Sequence, residues 1–144
     1  MKKNLSNKQI EKYSRQIVLK NVGTIGQKKI LNSNVLVVGA GGLGCPVIDY
    51  LSRAGVGRLG IIDYDKIDPS NIHRQSIYTF KDVGKYKVDV LKRKIMDINP
   101  DVKTKIFKSK ITIKNVDKIL KQFDIIIDGS DNFKTKFLLN KFAR

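Results

Sequence analysis

VLVVGAGGLGCPVIDYLSRAGVGRLGIIDYD, residues 35–65, decides how this chain folds. Val35, Leu36, Val37 and Val38 form a β-branched apolar run that leads directly into Gly39-Ala40-Gly41-Gly42-Leu43-Gly44. A helical pattern then runs to Ala54, and a second apolar run from Leu59 to Ile62 closes on Asp63. Strand, glycine turn, helix, strand and acid make one βαβ unit carrying G-x-G-x-x-G, with the acidic residue about 20 positions further on. Glycines let the backbone turn tightly and approach a phosphate closely. The helix N-terminus behind them offers unpaired N–H groups and a positive dipole end to an anion. Asp63, at the end of the second strand, is placed to accept hydrogen bonds from ribose hydroxyls. The stretch predicts a nucleotide site.

Outward from that unit the pattern continues to alternate. Residues 7–18 (Ile10, Tyr13, Ile17) and 22–31 (Ile25, Ile30, Leu31) read as two short helices before the first strand, with Arg15 off the apolar stripe. In the helix after Gly44, Pro46 falls in the first turn, and Val47, Ile48, Leu51 and Ala54 are the expected buried stripe. Gly55-Val56-Gly57 ends it. Residues 66–83 are a long excursion with little periodicity, of the kind that is usually functional inside a compact α/β unit. Residues 84–98 read as a helix, 102–107 as a strand with Lys103 and Lys105 outward, 116–120 as a short helix, and 123–127 as a strand ending at Asp128. A last helical pattern runs from residue 133 to residue 144.

The reading is α/β: a Rossmann-like, doubly wound, mainly parallel sheet with an N-terminal helical lead. Residues 1–33 are assigned to the helical lead, with 1–6 frayed, and residues 34–144 to the nucleotide-binding domain. Four strands are fewer than such a domain usually has, and the last helical pattern has no stop signal, so the chain reads as the front portion of a larger fold. The glycine bend, Asp63 with its following loop, and residues 128–132 all fall at the strands' C-terminal ends, where open α/β sheets bind ligands.

Composition narrows the class. With 144 residues the chain is one domain's worth. It has no apolar run of bilayer-spanning length, no signal-peptide apolar segment in MKKNLSNKQIEK, and one cysteine, so a cytoplasmic, reducing setting is expected, with no membrane and no internal disulfide. The net charge of +16 invites nucleic acid or an acidic partner. The basic residues are, however, 23 Lys and 6 Arg in an Ile- and Asn-rich chain, a bias that compositional drift imposes on a tolerant surface. A nucleic-acid surface more often interleaves Arg with aromatic residues, so nucleic acid is not the expected partner.

Five ordered motifs carry a resemblance. YSRQIVL (13–19), GAGGLG (39–44), DYDKIDPSNIHRQ (63–75), VGKYK (83–87) and DGSDN (128–132) together resemble the ThiF/MoeB/HesA family, the prokaryotic relatives of ubiquitin-activating enzymes. The resemblance implies ATP-dependent adenylation of the C-terminal Gly-Gly carboxylate of a ubiquitin-like sulfur-carrier protein, of the thiamine or molybdopterin type, with release of pyrophosphate. By similarity Gly39, Gly41, Gly42, Gly44, Asp63, Asp65, Asn71, Gln75 and Asn132 bind the nucleotide, with Asp63 on the ribose. Arg74 and Lys87 match positions that act on the phosphates, and Asp131 matches the acid that holds Mg2+. Arg15 matches an arginine finger that, in the family's homodimers, enters the partner's site. The family's zinc-binding CxxC pairs and reactive cysteine are not in this sequence, so neither zinc nor sulfur transfer is carried over.

Plainer readings stand beside these. Arg74 and Lys87 are surface charges in a basic chain, Asp131 caps the following helix, and Arg15 pairs with an acid. His73 is incidental, and Cys45 packs, although a helix N-terminus can lower a thiol pKa. Three other functions stay open: a truncated remnant that binds nucleotide without catalysis, an NAD-dependent oxidoreductase, and a tRNA-modifying member of the same superfamily.

Overall fold

A computed structural model describes residues 4–143 of the chain; residues 1–3 of the expected frayed lead, and Arg144 of the last helical pattern, lie outside it. In chain order the elements are α1 (Asn7–Lys12), α2 (Ser14–Ile17), α3 (Gly23–Asn32), β1 (Asn34–Val38), α4 (Gly44–Ala54), β2 (Arg58–Ile62), α5 (Lys87–Ile98), β3 (Lys103–Phe107), α6 (Val116–Leu120), β4 (Ile125–Asp128) and α7 (Phe133–Phe142). The strands form one parallel sheet in the order β3-β2-β1-β4. This is a doubly wound arrangement: the chain moves outward from β1 through β2 to β3, then crosses back to place β4 on β1's other side.

The apolar runs of β1 and β2 exist because both faces of the sheet are covered. Val35, Val37, Leu59 and Ile61 point to one side, where Ile48 of α4 and Val88, Leu91 and Ile95 of α5 close over them. Leu36, Val38 and Ile62 point to the other, against Val116, Ile119 and Leu120 of α6 and Leu139 of α7. Each such fully buried aliphatic side chain contributes about 1.5–3 kcal/mol relative to exposure. The covers are unequal: Ile125, Phe133 and Phe137 on the α7 side are 51%, 77% and 71% exposed.

Several boundaries differ from the sequence reading. The expected helix over residues 7–18 breaks at Tyr13, which is 1% exposed while Ile10 is 43% exposed. Ile25 is also on the surface, because α3 turns Gln27 inward to donate to the Ala54 carbonyl at 2.9 Å. The buried face of α4 is Gly44, Cys45, Ile48 and Ser52; Val47, Leu51 and Ala54 are only half-buried. Helix α5 starts at Lys87, since Gly84 (φ +83°) and extended Tyr86 still belong to the loop. Strand β4 starts at Ile125, because Phe123 closes a turn on Leu120 and packs its ring over Gly60.

The long excursion is ordered. Two 3-10 turns, Pro69–Asn71 and Phe80–Asp82, punctuate it, and Ile67 and Tyr78 are buried. Asp82, 2% exposed, takes the Thr79 N–H and hydroxyl (3.0 and 2.9 Å), Arg93 at 2.8 Å and Lys94 at 3.1 Å, which ties the loop to α5.

Candidate functional site

The bend after β1 is held by its surroundings rather than by its own sequence alone. Gly39 has φ +92°, and a Cβ on it would lie 2.9 Å from the Gly129 carbonyl oxygen. A Cβ on Gly44 would lie 1.9 Å from the Gly39 carbonyl oxygen, so the bend closes only with hydrogen at that position. Gly41 and Gly42 are different. A Cβ there would meet nothing closer than Gln75 Nε2 or the Arg74 side chain, both at 3.8 Å. The fold leaves room at these two positions, on the side that the 63–75 loop overhangs.

Between them lies the Ala40 peptide, gripped on both sides. Asp63 Oδ2 accepts its N–H at 2.8 Å, while the Tyr78 hydroxyl (2.9 Å) and the Cys45 thiol (3.3 Å) donate to its carbonyl. Asp63 Oδ1 accepts the Asp65 N–H at 2.7 Å. Each carboxylate oxygen keeps a second lone pair, which is what a ribose diol needs. Burial pushes the Cys45 thiol up to about 11, against smaller opposing effects of Tyr78 and the Lys87 ammonium. A helix N-terminus therefore does not activate it here, and packing is its role. Burial likewise raises the Tyr78 hydroxyl, keeping it a donor.

Lys87 is 5% exposed, an unusual state for a lysine, with its N–H on the Asp65 carbonyl (3.0 Å) and Nζ 3.7 Å from Asp65 Oδ2. A buried ammonium beside a single half-exposed carboxylate suits a site that receives further negative charge. Gln75 is 3% exposed, and its Oε1 has no hydrogen-bond partner among the described residues. Arg74 lies on the surface, donating from Nη1 to the Ser70 carbonyl (2.8 Å) and to His73 Nε2 (2.9 Å), so His73 steadies this guanidinium. Asn71 Oδ1 accepts the Asp68 N–H at 3.1 Å and shapes the loop.

The third piece enters from β4. Because β1 pairs in parallel with both β2 and β4, Val38 stands between Ile62 and Asp128. Asp63 and residues 129–132 thus flank the bend on one edge of the sheet, about 10 Å apart across β1. Asp128 folds back on Ser130 (2.9 and 2.6 Å) and faces Lys136 at 3.4 Å. The cap of α7 is Asn132, whose Oδ1 accepts the Thr135 N–H at 2.9 Å. Asp131 is therefore not the cap; its carboxylate is exposed. No cluster of three or more His, Cys, Asp or Glu exists among the described residues. A lone exposed carboxylate does fit Mg2+, which takes one or two protein carboxylates and completes its octahedron with phosphates and water.

Arg15 is not brought to this edge. It is exposed on α2, next to Tyr13, which packs at the opposite, N-terminal edge of the strands. Tyr78 is the residue that sequence reasoning missed; an aromatic with a hydroxyl inside the long loop was its only signal. At the rim beyond Asp63, Lys110 lies over the Tyr64 ring (4.3 Å), and Lys108 and Lys66 over Tyr86 (4.4 and 5.1 Å). Of two surface grooves of about 340 Å3, one lies elsewhere, between α4 and α5 beside Asp49, Arg53, Lys94 and Asp97, and the other borders the rim at Tyr86.

Comparison with known proteins agrees with the geometry. The ThiF family model matches residues 13–144. A sulfur carrier protein adenylyltransferase of Thermus thermophilus is 41% identical over 138 residues, 96% of this chain and 51% of the relative. A probable adenylyltransferase/sulfurtransferase MoeZ of Mycobacterium tuberculosis is 42% identical over 139 residues, 96% of this chain and 36% of the relative. The crystal structure of E. coli tRNA N6-threonylcarbamoyladenosine dehydratase, TcdA, in complex with AMP superposes with TM-score 0.88 at 25% identity, covering 96% of this chain and 57% of that one. The chain spans about half the length, or less, of these curated relatives. Among the described residues no helix is long and apolar enough to cross a membrane.

Proposed function

This chain belongs to the ThiF family, and from that premise we propose that it forms the nucleotide half of an enzyme that adenylates the C-terminal Gly-Gly carboxylate of a ubiquitin-like sulfur-carrier protein. In this reading residues 34–144 are the nucleotide-binding domain and residues 1–33 the helical lead, whose described part packs on it through Tyr13 and Gln27. The observation that carries the reading is the Ala40 peptide: the carboxylate that would hold a ribose also tethers the glycine bend, with buried Gln75 reaching the open space at Gly41 and buried Lys87 beside Asp65.

In the proposed reaction the ribose hydroxyls donate to Asp63, and the triphosphate lies over Gly39–Gly44, where a backbone without side chains lets it approach the α4 N-terminus. Asn71, Arg74, Gln75 and Lys87 face the phosphates, while Asp65 and Asn132 shape the walls. A substrate carboxylate oxygen attacks the α-phosphorus, the bond from that phosphorus to the bridging oxygen breaks, and pyrophosphate leaves with the electron pair. An acyl-adenylate remains. No side chain acts as nucleophile, so the protein's contribution is positioning and fixed positive charge. Asp131 would hold Mg2+, which supplies neutralisation of phosphate charge. Lys87 and Arg74 add their own charge on the pentavalent phosphorus and departing pyrophosphate. Arg15, at the far edge of its own sheet, would serve a second copy's site in a homodimer. A reducing, cytoplasmic location suits the single unpaired, buried Cys45.

Pyrophosphate exchange into ATP, dependent on magnesium and on a carrier ending in Gly-Gly, tests the proposal. Exchange that appears only with both supports it. Binding of ATP without exchange identifies a remnant, and preference for NAD over ATP in calorimetry identifies an oxidoreductase. One observation favours a second reading, the tRNA-modifying branch. The Tyr64 and Tyr86 rings under lysines at the rim supply stacking faces among cations, as single-stranded RNA surfaces do. RNA binding whose affinity falls steeply with salt would support that branch.

A further inference from the structure

Tyr13 is, with Gln27, one of the two fully buried residues among the described part of the helical lead, and nothing in the nucleotide site accounts for it. It lies between α1 and α2 with φ −101° and ψ 14°, ending one helix and starting the next. Its ring covers Gly55, the left-handed residue (φ +83°) that closes α4; a Cβ there would lie 2.4–2.8 Å from the phenol. Its oxygen accepts Asn99 Nδ2 at 2.9 Å. Asn99, itself 2% exposed, donates again to the Ser52 carbonyl (2.8 Å) and accepts Lys12 Nζ (3.0 Å). One phenol thus joins the lead, the end of α4 and the end of α5. On either side Gln16 and Gln27 donate to the Ala54 carbonyl, at 3.5 and 2.9 Å.

This arrangement has a use. Helix α2 has four residues and no stability of its own, since an isolated helix needs roughly 12–15 residues to be even marginal. Arg15, the second of those four, is exposed, yet its backbone lies between a buried joint two residues to one side and Gln16 immediately to the other. Gly55 precedes β2 and Asn99 precedes β3, so the joint sits at the strands' N-terminal edge. The glycine bend sits at the other edge, one five-residue strand away, about 16 Å. Arg15 is therefore carried at the edge of the sheet opposite its own bend.

We propose that Tyr13 is a positioning residue: it fixes α2 so that Arg15 is presented at a set place and angle to the nucleotide site of a second copy of the chain. The proposal rests on the adenylation reading above, in which Arg15 works across a homodimer. Tyr13 touches no substrate, and its effect is exerted through Arg15.

The test uses the full chain in two formats. In pyrophosphate exchange, Tyr13→Ala lowers kcat as Arg15→Ala does, with KM for ATP unchanged, and Tyr13→Phe, which keeps the ring, falls between Tyr13→Ala and wild type. Mixing Tyr13→Ala with Asp63→Ala chains restores exchange to about a quarter of wild type per chain. A randomly mixed two-fold dimer is hybrid half the time, with one competent site in each hybrid. No restoration in that mixture, while Arg15→Ala with Asp63→Ala does recover, would make Tyr13 a merely structural residue of its own chain and overturn the proposal. The second format needs no catalysis. Nitroxides at Arg15→Cys and Lys92→Cys, in a Cys45→Ser chain diluted with unlabelled protein, give a narrow distance distribution that Tyr13→Ala broadens at least twofold while the thermal transition stays cooperative. An unchanged distribution overturns the proposal. Absence of exchange in the wild-type chain refutes the adenylation reading, and the distance measurement then decides Tyr13's role alone.

Discussion

Two glycines three residues apart should fail in opposite ways. At Gly44 a methyl group would stand 1.9 Å from the Gly39 carbonyl oxygen and 2.8 Å from its carbon, both backbone atoms that no rotamer can move. Overpacking usually costs 1–3 kcal/mol, and a backbone-on-backbone clash belongs at the upper end, about 3 kcal/mol for Gly44→Ala. For a chain of this length that corresponds to a melting temperature lower by about 10 °C. At Gly41 the nearest atom to such a methyl is Gln75 Nε2 at 3.8 Å, an ordinary contact, and the backbone is not left-handed. Gly41→Ala should therefore fold as well as wild type, or gain about 0.4–1 kcal/mol by restricting the unfolded chain. The same methyl would occupy the space over the bend. A phosphate pushed off loses one or two charge-assisted hydrogen bonds of about 1.5–3 kcal/mol each, a loss in nucleotide affinity of about tenfold to about 20,000-fold. Differential scanning calorimetry gives the first quantity and titration calorimetry with ATP and magnesium the second. Wild-type affinity in a well-folded Gly41→Ala chain would refute the idea that phosphate lies over this bend.

Asp131→Asn should abolish magnesium-dependent pyrophosphate exchange without moving the melting temperature, because the carboxylate is exposed and the α7 cap belongs to Asn132; unchanged exchange would remove its metal role. Asp82→Asn should cost about 1–3 kcal/mol in urea unfolding, since the neutral amide gives up charge-assisted bonds to half-exposed Arg93 and to the more sheltered Lys94. For wild type, burial acts to raise the Asp82 carboxyl, but the Thr79 hydrogen bonds and the Lys94 and Arg93 partners prevail and hold it below its usual 3.8. Its folded-state value is depressed, so the stability it contributes is present above pH 4 and fades on acidification; an Asp82→Asn chain should show a flatter acid limb. Cys45 runs the other way. Its thiol is raised by burial from 9.0 to about 11, so its stabilising contribution is complete below pH 9 and is lost as pH climbs towards 11. The wild-type minus Cys45→Ala difference should shrink by about 2–3 kcal/mol across that window, and native Cys45 should resist alkylation at pH 8.

The fold was legible wherever a pattern reports its own environment. Runs buried on both faces announced β1 and β2, and the glycine bend announced the turn between β1 and α4. What periodicity cannot report is the partner. Tyr13 looked like one apolar position in a continuous short helix, because its break is enforced by Gly55 and Asn99, residues 42 and 86 positions away. Gln27, Ser52 and Asn99 are polar and belong to none of the apolar stripes, yet each is buried by a tertiary hydrogen bond, while Ile25 and Ala54 are left outside the buried core. At the site, the βαβ pattern singled out Asp63, but Lys87 and Gln75 entered only through the family resemblance and not by their residue types. Residue types were not enough to choose between Asp131 and Asn132 as the α7 cap, two adjacent good cappers in a region where boundaries shift by one residue. Nor could they show that Arg15 stands at the wrong edge of its own sheet.

The double tether on Asp63 has a chemical corollary. Both of its oxygens already hold backbone N–H groups, at 2.8 and 2.7 Å, before any sugar arrives, so the carboxylate cannot swivel to meet an ill-fitting one. A 3′-deoxy sugar leaves one of its lone pairs dry without recourse to a new rotamer, and a water trapped there is the only remedy. With the ribose held as proposed, discrimination among nucleosides at this point would be settled by stiffness rather than by strength of attraction.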